Sequence, residues 1–94
     1  MRYRLTRRAG ADIRKAEEHF KGEGDEIGRA FAKAMRDALD LITTFPNSSP
    51  ADAHGIRRKP LTNFSYSFFY YLEEDVVEIL SLMHHRRHPD AWRG

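Results

Sequence analysis

The spacing of apolar residues in the first half of the chain predicts one short strand followed by two helices. Residues 2–6 alternate polar and apolar side chains, as a strand does when one of its faces is buried. Apolar residues then recur at helical intervals, first in one set and then in a longer one: Ala9, Ile13, Ala16 and Phe20, followed by Ile27, Phe31, Ala34, Ala38, Leu41, Ile42 and Phe45. Each set falls on one face of a helix, and the second helix runs from about residue 26 to residue 45.

Glycine and proline mark where these two helices end. Gly22 and Gly24 end the first helix, and the side chain of Asp25 is expected to cap the second. A connection this short joins two helices as an antiparallel hairpin. The stretch 46–50, Pro-Asn-Ser-Ser-Pro, stops the second helix.

The second half of the chain has the pattern of three strands. Residues 55–60 form a short strand edged by Gly and Pro, 64–72 are rich in Phe and Tyr, and 76–83 are aliphatic. Short turns between consecutive strands favour an antiparallel meander. The first strand is expected to join this sheet, because alone it cannot satisfy its backbone groups. The sequence therefore predicts a two-layer α+β fold, in which a helical hairpin packs on a small, mainly antiparallel sheet.

Composition narrows the class of protein. Ninety-four residues fit a single domain over 1–94, and 40% hydrophobic with 32% charged residues is a globular mixture. The absence of cysteine excludes disulfide scaffolds, cysteine zinc sites and thiol nucleophiles. The basic start has no apolar segment of a signal peptide behind it, and no apolar run is long enough to span a bilayer. We therefore expect a soluble cytoplasmic protein without membrane association.

Charge is more informative in its placement than in its net value of +2. Basic residues cluster at 57–59 and 84–88, whereas acidic residues gather at 73–75. If the two basic clusters meet in space, they form a positive face for phosphates or for an acidic protein.

The cluster Arg57, Arg58 and Lys59 alternates along a predicted strand, so that Arg57 and Lys59 share one face. We assign Arg57 and Lys59 to the binding of a partner. Arg58 is assigned to the protection of an edge strand against aggregation, which is a common use of charge.

The cluster at 84–88 is open to several readings. A metal site would need converging ligands, and none are evident, so we predict neither a metal nor a cofactor. A histidine with arginine helpers would suit phosphodiester cleavage, for which the candidates are His84, His85 and Arg87. Arg86 or Arg87 in an ion pair is another reading. We favour a recognition surface that contains His84, Arg86 and Arg87.

The aromatic residues also have two readings. Trp92 is either a hot spot for a partner or a plug that packs the last turn onto the domain. The aromatic strand could stack nucleic-acid bases, but one of its faces must cover the helices, so core packing is the better explanation.

The chain resembles the ParE/RelE superfamily of bacterial toxins. The order β-α-α-β-β-β carries the likeness, together with an Arg-bearing strand at Arg57, an aromatic strand opening with Phe64 and Tyr66, and an acidic turn. An Ile79-Leu80 strand and a closing His-x-x-Arg-x-Pro-x-x-Trp complete it, the latter formed by His84, Arg87, Pro89 and Trp92.

The resemblance is closer to the ParE branch than to the RelE branch. RelE-like toxins are ribosome-dependent mRNA endonucleases that commonly use a tyrosine near the C-terminus, where this chain has Trp92. An indole N–H is only a donor and cannot act as a general acid or base.

The resemblance implies the toxin of a type II toxin–antitoxin module that binds and poisons DNA gyrase without chemistry of its own. It also implies a hetero-oligomer with a cognate antitoxin, a ParD-like DNA-binding protein encoded alongside. A RelE-like nuclease and an inactive toxin that only binds its antitoxin are the alternatives, so enzymatic activity stays open at this stage.

Overall fold

The computed structural model describes residues 1–86, so the assignments to Arg87 and Trp92 lie outside the described residues. The order of helices and strands is β-α-α-β-β-β, which confirms the prediction. The bounds are β1 Arg2–Leu5, α1 Arg7–Glu23, α2 Asp25–Thr44, β2 Arg57–Pro60, β3 Tyr66–Glu73 and β4 Val76–His84.

The strands form one sheet in the order β1-β4-β3-β2. β2, β3 and β4 pair as the antiparallel meander that their short connections predict. β1 joins at the other edge and pairs with β4 in parallel, from Arg2 opposite Val76 to Leu5 opposite Ile79. A parallel pair needs a long crossover, and here the helical hairpin and the two intervening strands provide it.

The N-termini of the two helices are capped in different ways. Thr6 caps α1, because its hydroxyl accepts a hydrogen bond from the backbone N–H of Ala9 at 3.0 Å and donates to the carbonyl of Leu80 at 2.9 Å. The prediction that Asp25 caps α2 is wrong. One residue, Gly24, connects the helices with a φ of 142°, so Gly24 takes the capping position and Asp25 is the first residue of α2.

The core lies between the helical hairpin and one face of the sheet. Phe31 of α2, Phe68 and Tyr70 of β3, and Val77 and Ile79 of β4 are fully buried there. This confirms that the aromatic strand serves core packing.

The sheet face away from the helices is called the open face below.

A bulge between Phe69 and Tyr70 shifts the register of β3 against β4. Beside it, the carboxylate of Asp12 on α1 accepts a hydrogen bond from the backbone N–H of Leu82 at 3.1 Å, which ties α1 to β4.

The apolar stripe of α2 is wider than its contact with the sheet. Its central residues are buried, and Met35 is buried with them: Phe31, Ala34, Met35, Ala38 and Ile42. Ile27, Leu41 and Phe45 belong to the same predicted stripe but are 40%, 45% and 58% exposed. Within residues 1–86, neither α1 nor α2 is apolar enough over sufficient length to cross a membrane.

Candidate interaction surface

Strand β2 presents its basic residues on both faces of the sheet. Arg57 and Lys59 lie opposite Tyr70 and Phe68, which are buried under the helices, so both basic residues are on the helix side. Arg58 lies opposite Phe69 and is therefore on the open face. The predicted alternation is confirmed. β2 is an edge strand of the sheet, as the protective reading of Arg58 requires.

Arg57 is engaged by the loop that follows α2. One nitrogen of its guanidinium donates to the carbonyl of Ser49 and, at 3.5 Å, to the carbonyl of Asn47. The side chain is half-buried, so it fixes the connection between α2 and β2 and leaves only part of its donor set for another molecule.

On the open face, Arg58, Ser67 and His85 form a hydrogen-bonded chain. The Nε of Arg58 donates to the hydroxyl of Ser67 at 3.2 Å, and the same oxygen lies 2.8 Å from Nε2 of His85. Arginine only donates, so the Ser67 oxygen accepts from it, and the hydroxyl proton can be given to a neutral His85. We call Arg58, Ser67, His85 and the neighbouring Arg86 the basic corner.

The sequence did not identify this chain of contacts. Alternation places Arg58 on the face opposite Arg57, but Arg58 meets His85 only through the pairing of β2 with β3 and of β3 with β4. Ser67 carried no signal of its own. The register of the sheet is the missing information, because a shift by one residue would place Arg58 on the other face.

The two adjacent histidines point to different sides. His84 ends β4, opposite Tyr66, and the two rings meet edge to face with centroids 5.1 Å apart. Its Nδ1 accepts a hydrogen bond from the backbone N–H of Arg86 at 3.0 Å. His85 follows in the turn, where its own N–H donates to the carbonyl of Ser65 at 2.8 Å. The contacts of both histidines therefore hold the turn that ends β4.

The predicted partner-binding residues do not converge on one pocket. Lys59 is in register with Phe68 and Leu82, two residues along the strand from the row of Tyr66 and His84. With strand β3 between them, Lys59 and His84 are separated by about 7 Å along the strand direction and by two strand spacings, about 10 Å, across it. Arg57 lies another two residues away. Arg57, Lys59 and His84 therefore form an extended row, called the basic margin below, and not a compact cluster.

At the opposite end of the open face, the positive charge of Arg4 is paired with carboxylates. The guanidinium of Arg4 on β1 contacts the carboxylate of Glu78 and lies 3.2 Å from that of Glu73. Tyr71 also donates to Glu73, at 2.9 Å. The hydrogen bond and charge of Glu78 raise the pKa of Arg4, and the hydrogen bond to Glu73 raises the pKa of Tyr71. Uncompensated positive charge therefore lies toward the basic corner.

The basic corner suits binding better than nucleophilic chemistry. Ser67 and His85 are close enough for proton transfer, but Ser67 is only 1% exposed, so its hydroxyl cannot reach a substrate. Among residues 1–86, no carboxylate forms an ion pair with His85, and no three histidine or acidic side chains converge on a common point. Arg58, His85 and Arg86 nevertheless offer exposed donors to an anionic surface.

Comparisons with known proteins agree with this architecture. The family model described as "ParE toxin of type II toxin-antitoxin system, parDE" matches residues 3–89. A solved structure from P. aeruginosa, titled "Chromosomal ParDE TA system from P. aeruginosa", is 19% identical to the chain. It covers 89% of this chain and 95% of its own, with a TM-score of 0.76. An identity this low establishes the shared fold. No curated protein matches the sequence.

Proposed function

This chain belongs to the ParE toxin family of type II toxin–antitoxin systems, and from that premise we propose that it arrests growth by binding DNA gyrase. A ParD-like, DNA-binding antitoxin encoded beside it neutralises it in a hetero-oligomer in the cytoplasm. The proposal that gyrase is the target comes from the resemblance of the sequence to the ParE branch. The choice of binding over catalysis comes from the geometry of the basic corner.

The choice of binding over catalysis rests on the contacts that His84 and His85 make within the fold. Nδ1 of His84 accepts from a backbone N–H, and Nε2 of His85 lies against the buried Ser67 hydroxyl. One nitrogen of each ring is thus held by the fold, and the neighbouring Ser67 hydroxyl is only 1% exposed, so the basic corner brings no accessible nucleophile to a substrate. A binding surface needs only positioned donors, which Arg58 and Arg86 supply.

The residues proposed for partner binding include the basic margin and two residues outside the described part of the chain. They are the six that the sequence singled out, Arg57, Lys59, His84, Arg86, Arg87 and Trp92, with Arg58 added from its position in the basic corner. Arg57 contributes mainly by holding the loop after α2, because its guanidinium already donates to that loop. An acidic protein surface is the complementary partner.

The proposal is tested by expressing the chain in bacteria without its antitoxin while DNA and protein synthesis are followed separately by pulse labelling. We expect DNA synthesis to fall first and purified gyrase to be inhibited in a supercoiling assay. An earlier fall of protein synthesis would instead support a ribosome-dependent nuclease. Continued growth, together with a stable antitoxin complex, would support an inactive toxin.

We expect His84→Ala and His85→Ala to weaken growth arrest by less than about tenfold and not to abolish it, because each imidazole adds one contact to a binding surface and neither performs chemistry in the proposed mechanism. Each variant loses a hydrogen bond worth about 1 kcal/mol, so the fold should survive. Growth curves after induction measure the effect, and circular dichroism of the purified variants confirms folding. Loss of toxicity by a folded variant, with cleaved mRNA in wild-type cells, would contradict the binding mechanism.

A further inference from the structure

Two buried serines lie on the open face, and their hydroxyl groups differ in what they contact. Ser67 of β3 is 1% exposed, and Ser81 of β4, which lies opposite Phe69, is 0% exposed. The hydroxyl of Ser67 contacts both Arg58 and His85, whereas that of Ser81 has no hydrogen-bond partner within residues 1–86. A buried hydroxyl without a partner costs free energy, so Ser67 and its two neighbours hold one another in place.

The directions of these hydrogen bonds follow from the donors that each group carries. Nε of Arg58 can only donate, so the Ser67 oxygen accepts from it at 3.2 Å, and Nε2 of His85 lies 2.8 Å from the same oxygen. If Nε2 carried the proton, the Ser67 oxygen would accept twice, and its own proton would be buried without an acceptor among the described residues. The hydroxyl therefore donates to Nε2, and a neutral His85 carries its proton on Nδ1.

This arrangement leaves the other nitrogens of both side chains available to a ligand. Arg58 and His85 are exposed, and they lie side by side because both contact the same oxygen. In the part of the chain that the structure describes, the terminal nitrogens of Arg58 and Nδ1 of His85 have no hydrogen-bond partner. Arg86 follows His85 directly, and its side chain is exposed as well. The basic corner thus offers N–H donors from three side chains, two of which are oriented by one buried hydroxyl.

We propose that the basic corner is a binding site for one carboxylate and that Ser67 is the residue that positions its donors. The terminal nitrogens of Arg58 bind the two carboxylate oxygens, Nδ1–H of His85 supplies a further donor beside them, and Arg86 adds a second positive charge. The carboxylate belongs to an aspartate or glutamate of the protein target. This proposal rests on the proposed function, since it names the group that the target presents.

The charges along the open face favour a protein carboxylate over a nucleic acid. A nucleic-acid backbone carries a charge at every phosphate and therefore needs a continuous positive track. At the other end of the open face lie the carboxylates of Glu73 and Glu78, which share the charge of Arg4. A strand of nucleic acid along this face would approach them, whereas one carboxylate needs only the local donors of the basic corner.

The position of the His85 proton tests the role of Ser67 directly. At about pH 8.5, where imidazoles are neutral, proton–nitrogen correlation spectra of the purified chain distinguish a proton on Nδ1 from one on Nε2. We expect the wild-type chain to carry it on Nδ1 and Ser67→Ala to shift it toward Nε2, because the hydrogen bond that selects the tautomer is lost. Ser81→Ala removes the other buried hydroxyl and should leave the signal unchanged. His85→Ala identifies the signal.

Acetate is the probe for the carboxylate site. Titration at constant ionic strength should move the signals of His85 and of the Arg58 side chain along saturable curves. We expect Ser67→Ala to weaken this binding about fivefold, the equivalent of one hydrogen bond, and Ser81→Ala to change it less than about twofold. Thermal unfolding of both serine variants confirms that they fold.

Inhibition of purified gyrase tests the same residues on the proposed target. Ser67→Ala is expected to raise the half-inhibiting concentration about fivefold, and Ser81→Ala less than about twofold. In a chain that already carries Arg58→Ala and His85→Ala, the addition of Ser67→Ala should change inhibition less than about twofold, because Ser67 acts through those two side chains. A purely structural role of Ser67 would give the same loss in both backgrounds.

Each contrary outcome overturns a different part of the proposal. A wild-type His85 that is protonated on Nε2, or a tautomer that Ser67→Ala does not alter, would overturn the positioning role. Signals of Arg58 and His85 that acetate does not move would overturn the carboxylate site. Tight binding of DNA alone that Arg58→Ala abolishes would assign the site to a phosphate and overturn it as well. If acetate binds but the wild-type chain does not inhibit gyrase, the proposed target fails and the carboxylate site stands.

Discussion

Replacement of Phe31 by alanine is expected to lower the free energy of unfolding by about 3–5 kcal/mol, the usual cost of deleting a buried aromatic ring. Phe31 is 0% exposed, and its ring stacks on Phe20 with centroids 4.5 Å apart. It also meets Phe64 and Tyr66 edge to face at 5.1 and 5.6 Å. The loss therefore combines the burial of the ring with three aromatic contacts that no neighbour can replace.

Phe45→Ala is the matched control for this experiment. It makes the same chemical change at the residue that caps the C-terminus of the same helix, where the side chain is 58% exposed, so we expect a loss below about 1 kcal/mol. Urea unfolding monitored by circular dichroism gives both values. Equal losses in the two variants would contradict the assignment of Phe31 to the core.

A domain of this size has a small margin of stability, about 5–10 kcal/mol, so Phe31→Ala would leave only a fraction of it. The four rings of Phe20, Phe31, Phe64 and Tyr66 join α1, α2 and the start of β3.

The sequence predicted the helices and strands because the periods of its apolar residues differ between the two halves of the chain. The stripe through Phe31 and Ile42 repeats at helical spacing, and Tyr66 to Leu72 has the composition of a strand. Periodicity could not separate Leu41 from Ile42, although one is exposed and the other buried. That difference depends on how wide a contact α2 makes with the sheet.

The surface was less predictable because it depends on contacts between residues distant in sequence. Arg58 and His85 are joined through Ser67 only once three strands are in register. Asp25 has the side chain of a helix cap, but the single-residue connection at Gly24 leaves no place for it at the capping position. Local chemistry indicated what each residue could do, and the topology determined which of these contacts formed.

The largest functional effect is expected from reversing the charges of two consecutive arginines, Arg86 of the basic corner and Arg87, which lies outside the described residues. Arg86 is exposed in the turn after β4, and Arg87 follows it in the sequence. If this segment binds an acidic surface of gyrase, Arg86→Glu with Arg87→Glu replaces two attractive contacts by two repulsive ones. We expect the concentration that half-inhibits supercoiling to rise at least about 100-fold, which corresponds to about 2.7 kcal/mol.

The control reverses the same number of charges elsewhere. Arg29→Glu with Arg36→Glu, at two exposed positions of α2, gives the same change in net charge and should alter inhibition less than about threefold, because α2 packs on the sheet face opposite the basic corner. Thermal unfolding of both double variants confirms that they fold.

Equal loss of inhibition in the two double variants would show that gyrase responds to the overall field of the protein. Full inhibition by Arg86→Glu with Arg87→Glu would contradict the assignment of target binding to this segment.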